Sequence, residues 1–321
     1  GDRPVGTGPY VLSETDGALT LSARSGWWQG KALPVQSIQL TAASRSEDLV
    51  SSFAAGDVSL VDVDLMGTNA LGYSGSYQTW DYATTDFLYL GFNTQSGLCR
   101  APEIRQAITR AIDRTPVVQV DFARHAVAAG LPVHPSSPLY NAAQAGTLGY
   151  SPQQSQAALE QLRAAGRTVT LVANSENTAK AAAAQRIAAQ LEAVGLSVRL
   201  SLLSYDNYVS ALSAGNFDLY LGQVTLTGDF DLAPLLSSSG SLNYGRWQDA
   251  LGDALLSAFQ SAQGETRTKA ASDLFAYLNQ QAPIVPVCFK NGSVLTQWSR
   301  LSGLSPVRGN VFYQLENWKL S

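Results

Sequence analysis

Apolar and polar positions change period several times along the 321-residue chain, and each change marks a new kind of element. From residue 8 to 40 the pattern alternates and turns often. "PYVLSE", "ALTLSARSGWW" and "VQSIQLTAA" predict short strands of an antiparallel sheet. "SEDLVSSFAAGD" predicts a helix with Ser46 as N-cap, Leu49, Val50 and Phe53 inward, and Gly56 as terminator. "VSLVDVDL" and then "DFLYLGFN", Asp86 to Asn93, predict strands. In "RAPEIRQAITRAIDRTP" the period becomes helical: Ile104, Ala107, Ile108, Ala111 and Ile112 fall on one face. Pro102 suits the first turn, and Thr115-Pro116 begins a second short helix. "AVAAGLPVHPSSPLY", residues 126–140, carries three prolines and predicts an extended loop.

The middle of the chain is the most regular part. "TVTLVA" predicts a strand, and "TAKAAAAQRIAAQLEAVG" an alanine-rich helix with Ile187, Leu191 and Val194 inward and Gly195 as its left-handed cap. "SVRLSLL" predicts a strand, "DNYVSALSAG" a short helix capped by Asp206 and closed by Gly215, and "FDLYLGQV" a further strand. A β-α-β-α-β run implies right-handed crossovers and a parallel sheet with helices on its faces. The turn "VTLTGDFDLAPLL", Val224 to Leu236, then lies just past the carboxyl end of a strand, where open α/β sheets bind ligands. Two helices, "RWQDALGDALLSAFQSA" and "ETRTKAASDLFAYLNQQ", precede "PIVPVCFKNGSVLTQW". The two most apolar strands, near residues 87–93 and 284–290, bracket the α/β region and suggest a hinge pair around an inserted lobe.

Composition narrows the class. Charged residues make up 14%, so the polar surface must come mostly from Ser, Thr, Gln and Asn. A net charge of −4 without a local Lys/Arg cluster gives no electrostatic footprint for nucleic acid. No apolar run approaches the ~18 residues a membrane span needs. Cys99 and Cys288 fit no CxxC or zinc spacing; they either pair or sit as buried hydrophobes, which suits Cys288 inside "PIVPVCF". The start, "GDRPVGTGPYVL", has no initiator Met and no signal sequence, and points to an excised or mature piece.

Catalytic patterns are scarce. His125 and His134 lack ligand-spaced partners, "GYSGS" misses the GxSxG spacing, and "GTGPYV" lacks the third glycine of a dinucleotide fingerprint. No cofactor, metal site or catalytic residue is expected, although a Ser–His–Asp site built from distant residues stays open. In "EIRQAITRAIDR" the charges Glu103, Arg105, Arg110, Asp113 and Arg114 predict a solvated or ion-paired face. Asp229 and Asp231 share a glycine-containing turn. Such a pair is suited to acid catalysis, to gripping a cationic ligand, or to capping the helix that begins "LAPLL". Two carboxylates alone are too few for a hard cation.

Several segments, in order along the whole chain, resemble one family. "FNTQSGLCRAPEIRQAITRAIDRTPVV" resembles the Phe-Asn, short loop and V-R-Q-A…A-I-D-R segment of the family 5 extracellular solute-binding proteins. These are the dipeptide, oligopeptide and nickel receptors of ABC importers. "GTGPYVLSE" and "LTLSARSGWW" resemble that family's Gly-x-Gly-Pro-Tyr strand and its successor. "LPVQSIQLTAASRSEDLVSSFAAGDVSLVDV" resembles its strand, helix and strand with an Ala-Gly-Asp link. "AAGLPVHPSSPLY", "YSPQQSQAALEQL" and "APIVPVCF" resemble its proline loop, tyrosine-led helix and return strand.

The resemblance implies a two-lobed, periplasmic-binding-protein-like (type II) α/β fold, incomplete at the N-terminus, since family members carry further residues before the Gly-Thr-Gly-Pro-Tyr strand. Lobe I would be residues 1–89 plus 291–321, and lobe II residues 90–290. A peptide-like or other small polar solute would be held between lobes that close by hinge bending. The expected partners are that ligand and the membrane subunits of an ABC importer. The protein would be an extracytoplasmic monomer in the periplasm or at the cell surface, meeting the membrane only through a lipid anchor of the full-length protein. The aspartate pair falls where dipeptide receptors of the family carry a Gly-Asp-x-x-Asp loop, one acid of which grips the ligand ammonium. On this basis the ligand contacts are Asp229, Asp231 and Thr227, with Asn93, Glu176, Tyr244, Arg246 and Trp247. One departure stands out. Some dipeptide receptors have an Arg in the loop after the first lobe II strand, whereas here it reads "NSENT", with Glu176 and no Arg. That favours longer peptides or cationic solutes over a free dipeptide carboxylate. Two other readings remain: the ligand-sensing domain of a bacterial transcription regulator with the same fold, and a hydrolase.

Overall fold

A computed structural model describes residues 6–321; the opening "GDRPV" lies outside the described residues. Strands β1 (Tyr10–Thr15), β2 (Ala18–Ala23) and β3 (Ser37–Leu40) form the predicted antiparallel meander. Helix α1 (Ser46–Ala55) follows, capped by Arg45 rather than Ser46, and ends at Gly56 with φ 84°, where a left-handed turn favours glycine. Next come β4 (Leu60–Val63) and the long β5 (Tyr77–Phe92), which starts well before the predicted Asp86. Then come α2 (Pro102–Ala111), the short α3 (Arg114–Pro116), β6 (Ala126–Ala128), α4 (Ala142–Ala145) and α5 (Pro152–Gln161). β6 lies in the stretch predicted as loop, because Ala126–Ala128 pairs with a later strand. The predicted alternation appears as β7 (Thr168–Asn174), α6 (Thr178–Ala193), β8 (Ser197–Leu203), α7 (Tyr205–Ala214) and β9 (Leu219–Thr225). α7 is capped by Ser204 rather than Asp206. The chain continues through α8 (Ala233–Leu236), α9 (Ala250–Ser261), α10 (Gly264–Gln281), β10 (Ile284–Gln297), β11 (Leu301–Ser302) and β12 (Lys319–Leu320).

The chain divides into two compact units. The first takes the residues up to Leu65, Asn69–Tyr82 and Gly292–Ser321; the second takes Met66–Thr68 and Ala83–Asn291. β5 and β10 each run through both units. In the first unit, Trp27 and Trp28 both donate their indole N–H to the Thr7 carbonyl, at 3.1 and 2.9 Å, tying the "WW" pair to the "GTGPY" segment. Phe53, Val61 and Leu295 pack together under α1, where β4 pairs antiparallel with β10.

In the second unit β7 lies parallel to both β8 and β9, and β5 is antiparallel to β9. Side chains alternate between two cores. Leu88, Leu90, Leu219 and Leu221 face the α2 and α6 side, while Phe87, Tyr89 and Tyr220 face the α9 and α10 side. The tetrapeptide Leu-Tyr-Leu-Gly occurs twice, at 88–91 and 219–222, and its two copies meet in register. Tyr89 lies opposite Gly222 and Tyr220 opposite Gly91, so each tyrosine ring covers the other strand's glycine. A Cβ on Gly222 would come 2.6 Å from the Tyr89 ring. The two rings then meet edge to face, with centroids 5.8 Å apart.

The charged face predicted for α2 is not wholly solvated. Arg105 is 3% exposed and donates to backbone carbonyls: Gln281 (3.0 Å), Ala282 (3.1 Å), Cys99 (2.9 Å) and Arg100 (2.9 Å). Those of Gln281 and Ala282 lie at the C-terminus of α10, where the last carbonyls of a helix lack intrahelical partners. Five planar donors satisfy several such acceptors at once, which explains a buried arginine without a carboxylate. Arg114 does the same for the Pro286 carbonyl at 2.7 Å, and burial pushes its guanidinium down to about 10.

Candidate functional site

The carboxyl ends of β7, β8 and β9 share one edge of the second unit's sheet, and the turn after β9 carries the aspartate pair. The turn is braced from within. Thr227 Oγ1 accepts the Asp231 N–H at 2.9 Å, and the Thr227 carbonyl accepts the Phe230 N–H at 3.0 Å. Phe230 adopts φ 58° and sets its ring edge-on to Phe289, 6.0 Å between centroids. Arg267 holds the turn from the other side. It donates to the Asp229 carbonyl at 2.6 Å, and its guanidinium lies 4.4 Å over the Phe259 ring.

The two acids are used differently. Asp231 Oδ1 accepts the Ala233 N–H at 2.9 Å and the Gln260 amide at 2.5 Å, so this carboxylate shapes the turn into α8. The Asp229 side chain is 61% exposed, with Arg267 at 3.9 Å. A pair that exposed and that long contributes little to stability, and leaves the carboxylate able to accept from another donor. Thr227 is exposed beside it, and Glu176 stands exposed past the end of β7, where its Oε1 accepts the Tyr205 N–H at 2.9 Å. Asp86 and Lys290 add an inner ion pair at 3.4 Å. Thr225, opposite Asp86 in the ladder, donates its hydroxyl to that carboxylate at 2.5 Å.

The remaining predicted contacts lie at the other edge of the sheet, a strand length of roughly 20 Å away. Asn93 is 4% exposed; its amide donates to the Gly215 and Phe217 carbonyls at 3.3 and 3.2 Å, and its oxygen accepts the Gln95 N–H. Arg246 donates to the Ser213 carbonyl at 3.1 Å, closing the end of α7. Trp247 is buried, its ring covering Gly252. Tyr244 is half-buried, its ring 6.3 Å from Tyr220. The structure therefore gathers Asp229, Asp231, Thr227 and Glu176 at the carboxyl edge, and sets Asn93, Tyr244, Arg246 and Trp247 apart from them.

Sequence reasoning missed Lys180, Lys290 and Asp86. A lone lysine inside the apolar run "PIVPVCFKN" was the available signal for Lys290. Burial and, secondarily, the Lys290 charge lower the proton affinity of Lys180, with Glu176 acting the other way. Cys99 and Cys288 are free and buried, and burial raises both thiols, Cys288 to about 12. Among the described residues no three His, Cys, Asp or Glu side chains are grouped to hold a metal ion, and no helix is long and apolar enough to cross a membrane.

Residues 1–244 match the family described as bacterial extracellular solute-binding proteins, family 5 Middle. Heme-binding protein A of Haemophilus influenzae is 25% identical over 312 residues, covering 90% of this chain and 55% of that protein. The periplasmic murein peptide-binding protein MppA of Escherichia coli is 24% identical over 325 residues, covering 92% of this chain and 57% of its own length. The chain thus spans little more than half the length of these two relatives. Among solved structures, the ABC transporter substrate-binding protein CtaP of Listeria monocytogenes matches with a TM-score of 0.75 at 16% identity, over 99% of this chain and 67% of that one. That likeness shows the mixed α/β fold of the periplasmic-binding-protein class, as expected from the sequence. The relatives are named as binding proteins rather than enzymes, and they lend nothing to the transcription-regulator reading.

Proposed function

Because this chain belongs to the family 5 bacterial extracellular solute-binding proteins, we propose that it serves as the solute receptor of an ABC importer. It takes a peptide-like or other small polar solute and presents it to the importer's membrane subunits. In this reading the protein works outside the cytoplasmic membrane as a monomer, with a lipid anchor in the full-length protein. Its lobes are residues 1–89 plus 291–321 and residues 90–290. Asp229 meets a cationic group of the solute, Thr227 and Glu176 flank it, and Asp231 holds the turn in shape.

One observation carries the proposal. The carboxyl edge of the parallel strands ends in the exposed Asp229 carboxylate; Arg267 binds the Asp229 carbonyl and Thr227 braces the next two residues of the turn, so its position is set before a ligand arrives. A pre-positioned carboxylate forms a charge-assisted hydrogen bond to an ammonium without first ordering its loop. The test is native mass spectrometry of the full-length protein purified from its host. The expected result is a co-purified small polar solute that dissociates on activation. Recovery without any solute, together with no binding across peptide mixtures, would overturn the reading.

A further inference from the structure

The turn after β9 contains a glycine, yet a phenylalanine takes its left-handed backbone. Gly228 keeps φ out of that region, while Phe230 sits at 58°. Among the described residues Phe230 is the only aromatic with a positive φ. A side chain of that size crowds its own backbone there, so the conformation persists only where the surroundings impose it.

Two sets of contacts impose it here. The peptide plane joining Asp229 to Phe230 is pinned at both polar ends. Its carbonyl accepts from Arg267 at 2.6 Å, and its N–H donates to the Thr227 carbonyl at 3.0 Å. The Phe230 ring is 9% exposed and lies in the core that holds Phe87, Leu232 and Phe289, meeting Phe289 edge-on at 6.0 Å. Moving φ back to the ordinary range would rotate the pinned peptide, losing both hydrogen bonds, or lift the ring out of the core. The residues on either side are acids with different fates. The Asp229 side chain stays exposed, whereas Asp231 Oδ1 is engaged by the Ala233 N–H and Gln260. A strained and buried residue thus separates an outward carboxylate from one used within the turn.

We propose that Phe230 is the positioning residue of Asp229: its left-handed backbone, locked by the buried ring, holds that carboxylate out toward a cationic group of the solute. The proposal rests on the receptor reading above and deepens it, because Phe230 acts through the acid beside it. A glycine at 230 would reach the same φ without strain, but nothing would keep it there, since glycine visits many other conformations. Fixing the turn ahead of binding removes an ordering cost from the association.

The probes are a mixture of tripeptides with free N-termini and the same mixture N-acetylated, offered to the full-length protein and read by native mass spectrometry. The parent should retain free amines over acetylated forms by about tenfold or more, the size of a charge-assisted hydrogen bond. Phe230→Gly should remove most of that preference, and Phe230→Leu, which keeps an apolar anchor, should restore it. In an Asp229→Asn background Phe230→Gly should take away no further preference. All variants are compared well below their melting temperatures, where a loss of stability alone leaves the ratio unmoved. Hydrogen exchange reads the same device in the parent: the Phe230 and Asp231 amides should be protected without solute and gain little when it binds. An undiminished preference in Phe230→Gly, whatever its melting temperature, or protection that appears only with solute, overturns the role of Phe230 and leaves the receptor reading standing. If Phe230→Gly does not fold, exchange in the parent decides. Equal retention of both mixtures by the parent overturns the Asp229 contact and the role of Phe230 with it. Retention of neither overturns the receptor reading for peptides as well.

Discussion

The two edges of the second unit's sheet carry similar residue types and use them in opposite ways. At the amino edge, Asn93 and Arg246 direct their donors onto backbone carbonyls of the Ser213–Phe217 segment. At the carboxyl edge, Asp229 sits on a turn that other residues anchor, with its own charge only loosely engaged. The lesson concerns pairing rather than identity. A polar side chain whose hydrogen-bonding capacity is taken up by the backbone positions the chain. One held in place by its neighbours, with capacity left over, is equipped to meet a ligand. Loops at the carboxyl edge of parallel strands suit the second role, because the sheet and helix termini fix them from behind.

The strongest way to break this comparison is at the amino edge. Asn93→Ala removes one donor group shared by two carbonyls and one acceptor for the Gln95 N–H, all in a buried place. A loss of about 2–4 kcal/mol of stability is expected in urea denaturation, with the solute affinity of the folded protein unchanged. Normal stability with weakened binding would place Asn93 among the ligand contacts and erase the distinction between the edges.

At the carboxyl edge the signs reverse. Asp229→Asn should weaken binding of a solute bearing an ammonium by about 1.5–3 kcal/mol, because a charge-assisted hydrogen bond becomes a neutral one. Stability should stay within about 0.5 kcal/mol, as for other exposed positions. Calorimetry with the solute found by native mass spectrometry, or with a peptide and its N-acetylated form, checks this. An equal response to both peptide forms would remove Asp229 from the site. Its neighbour sharpens the contrast. Asp231→Ala should cost about 1 kcal/mol of stability, since the Ala233 N–H loses its cap, while Asp231→Asn keeps an acceptor oxygen and should cost less. Both Asp231 variants should bind nearly as well as the parent.

Much of the fold was legible from periodicity. The β7-to-β9 alternation reads directly from the sequence, because each strand is a short apolar run and each helix ends at a glycine, Gly195 or Gly215, with positive φ. Caps were legible only to within a residue or two: Arg45 stands where Ser46 was expected, and Ser204 where Asp206 was. The fate of polar side chains was not legible at all. Arg105 looks like part of a solvated face, yet the carbonyls that bury it come from residues near 281, far along the chain. Asn93 and Arg246 look like ligand contacts for the same reason. Pairing across sequence distance decides their role, and no local pattern reports it.

The smallest expected effect tests the packing beneath the aspartate turn. Phe289 carries the Phe230 ring on one side and the His134 imidazole on another, at 6.0 and 5.4 Å. His134 Nδ1 accepts the Ser136 N–H at 3.1 Å, and burial holds the imidazole below its ordinary pKa. The folded protein thus prefers the neutral ring, and the unfolded chain binds a proton more readily. Where the unfolded state binds more protons, stability rises with pH. The His134 contribution is therefore fully present above the unfolded value of about 6.5, and is lost as pH falls through the window beneath it. Denaturation midpoints should drop between neutral and mildly acid pH, and His134→Gln should flatten that part of the profile. If Phe289 transmits the change, the Asp229-dependent affinity should fall over the same window.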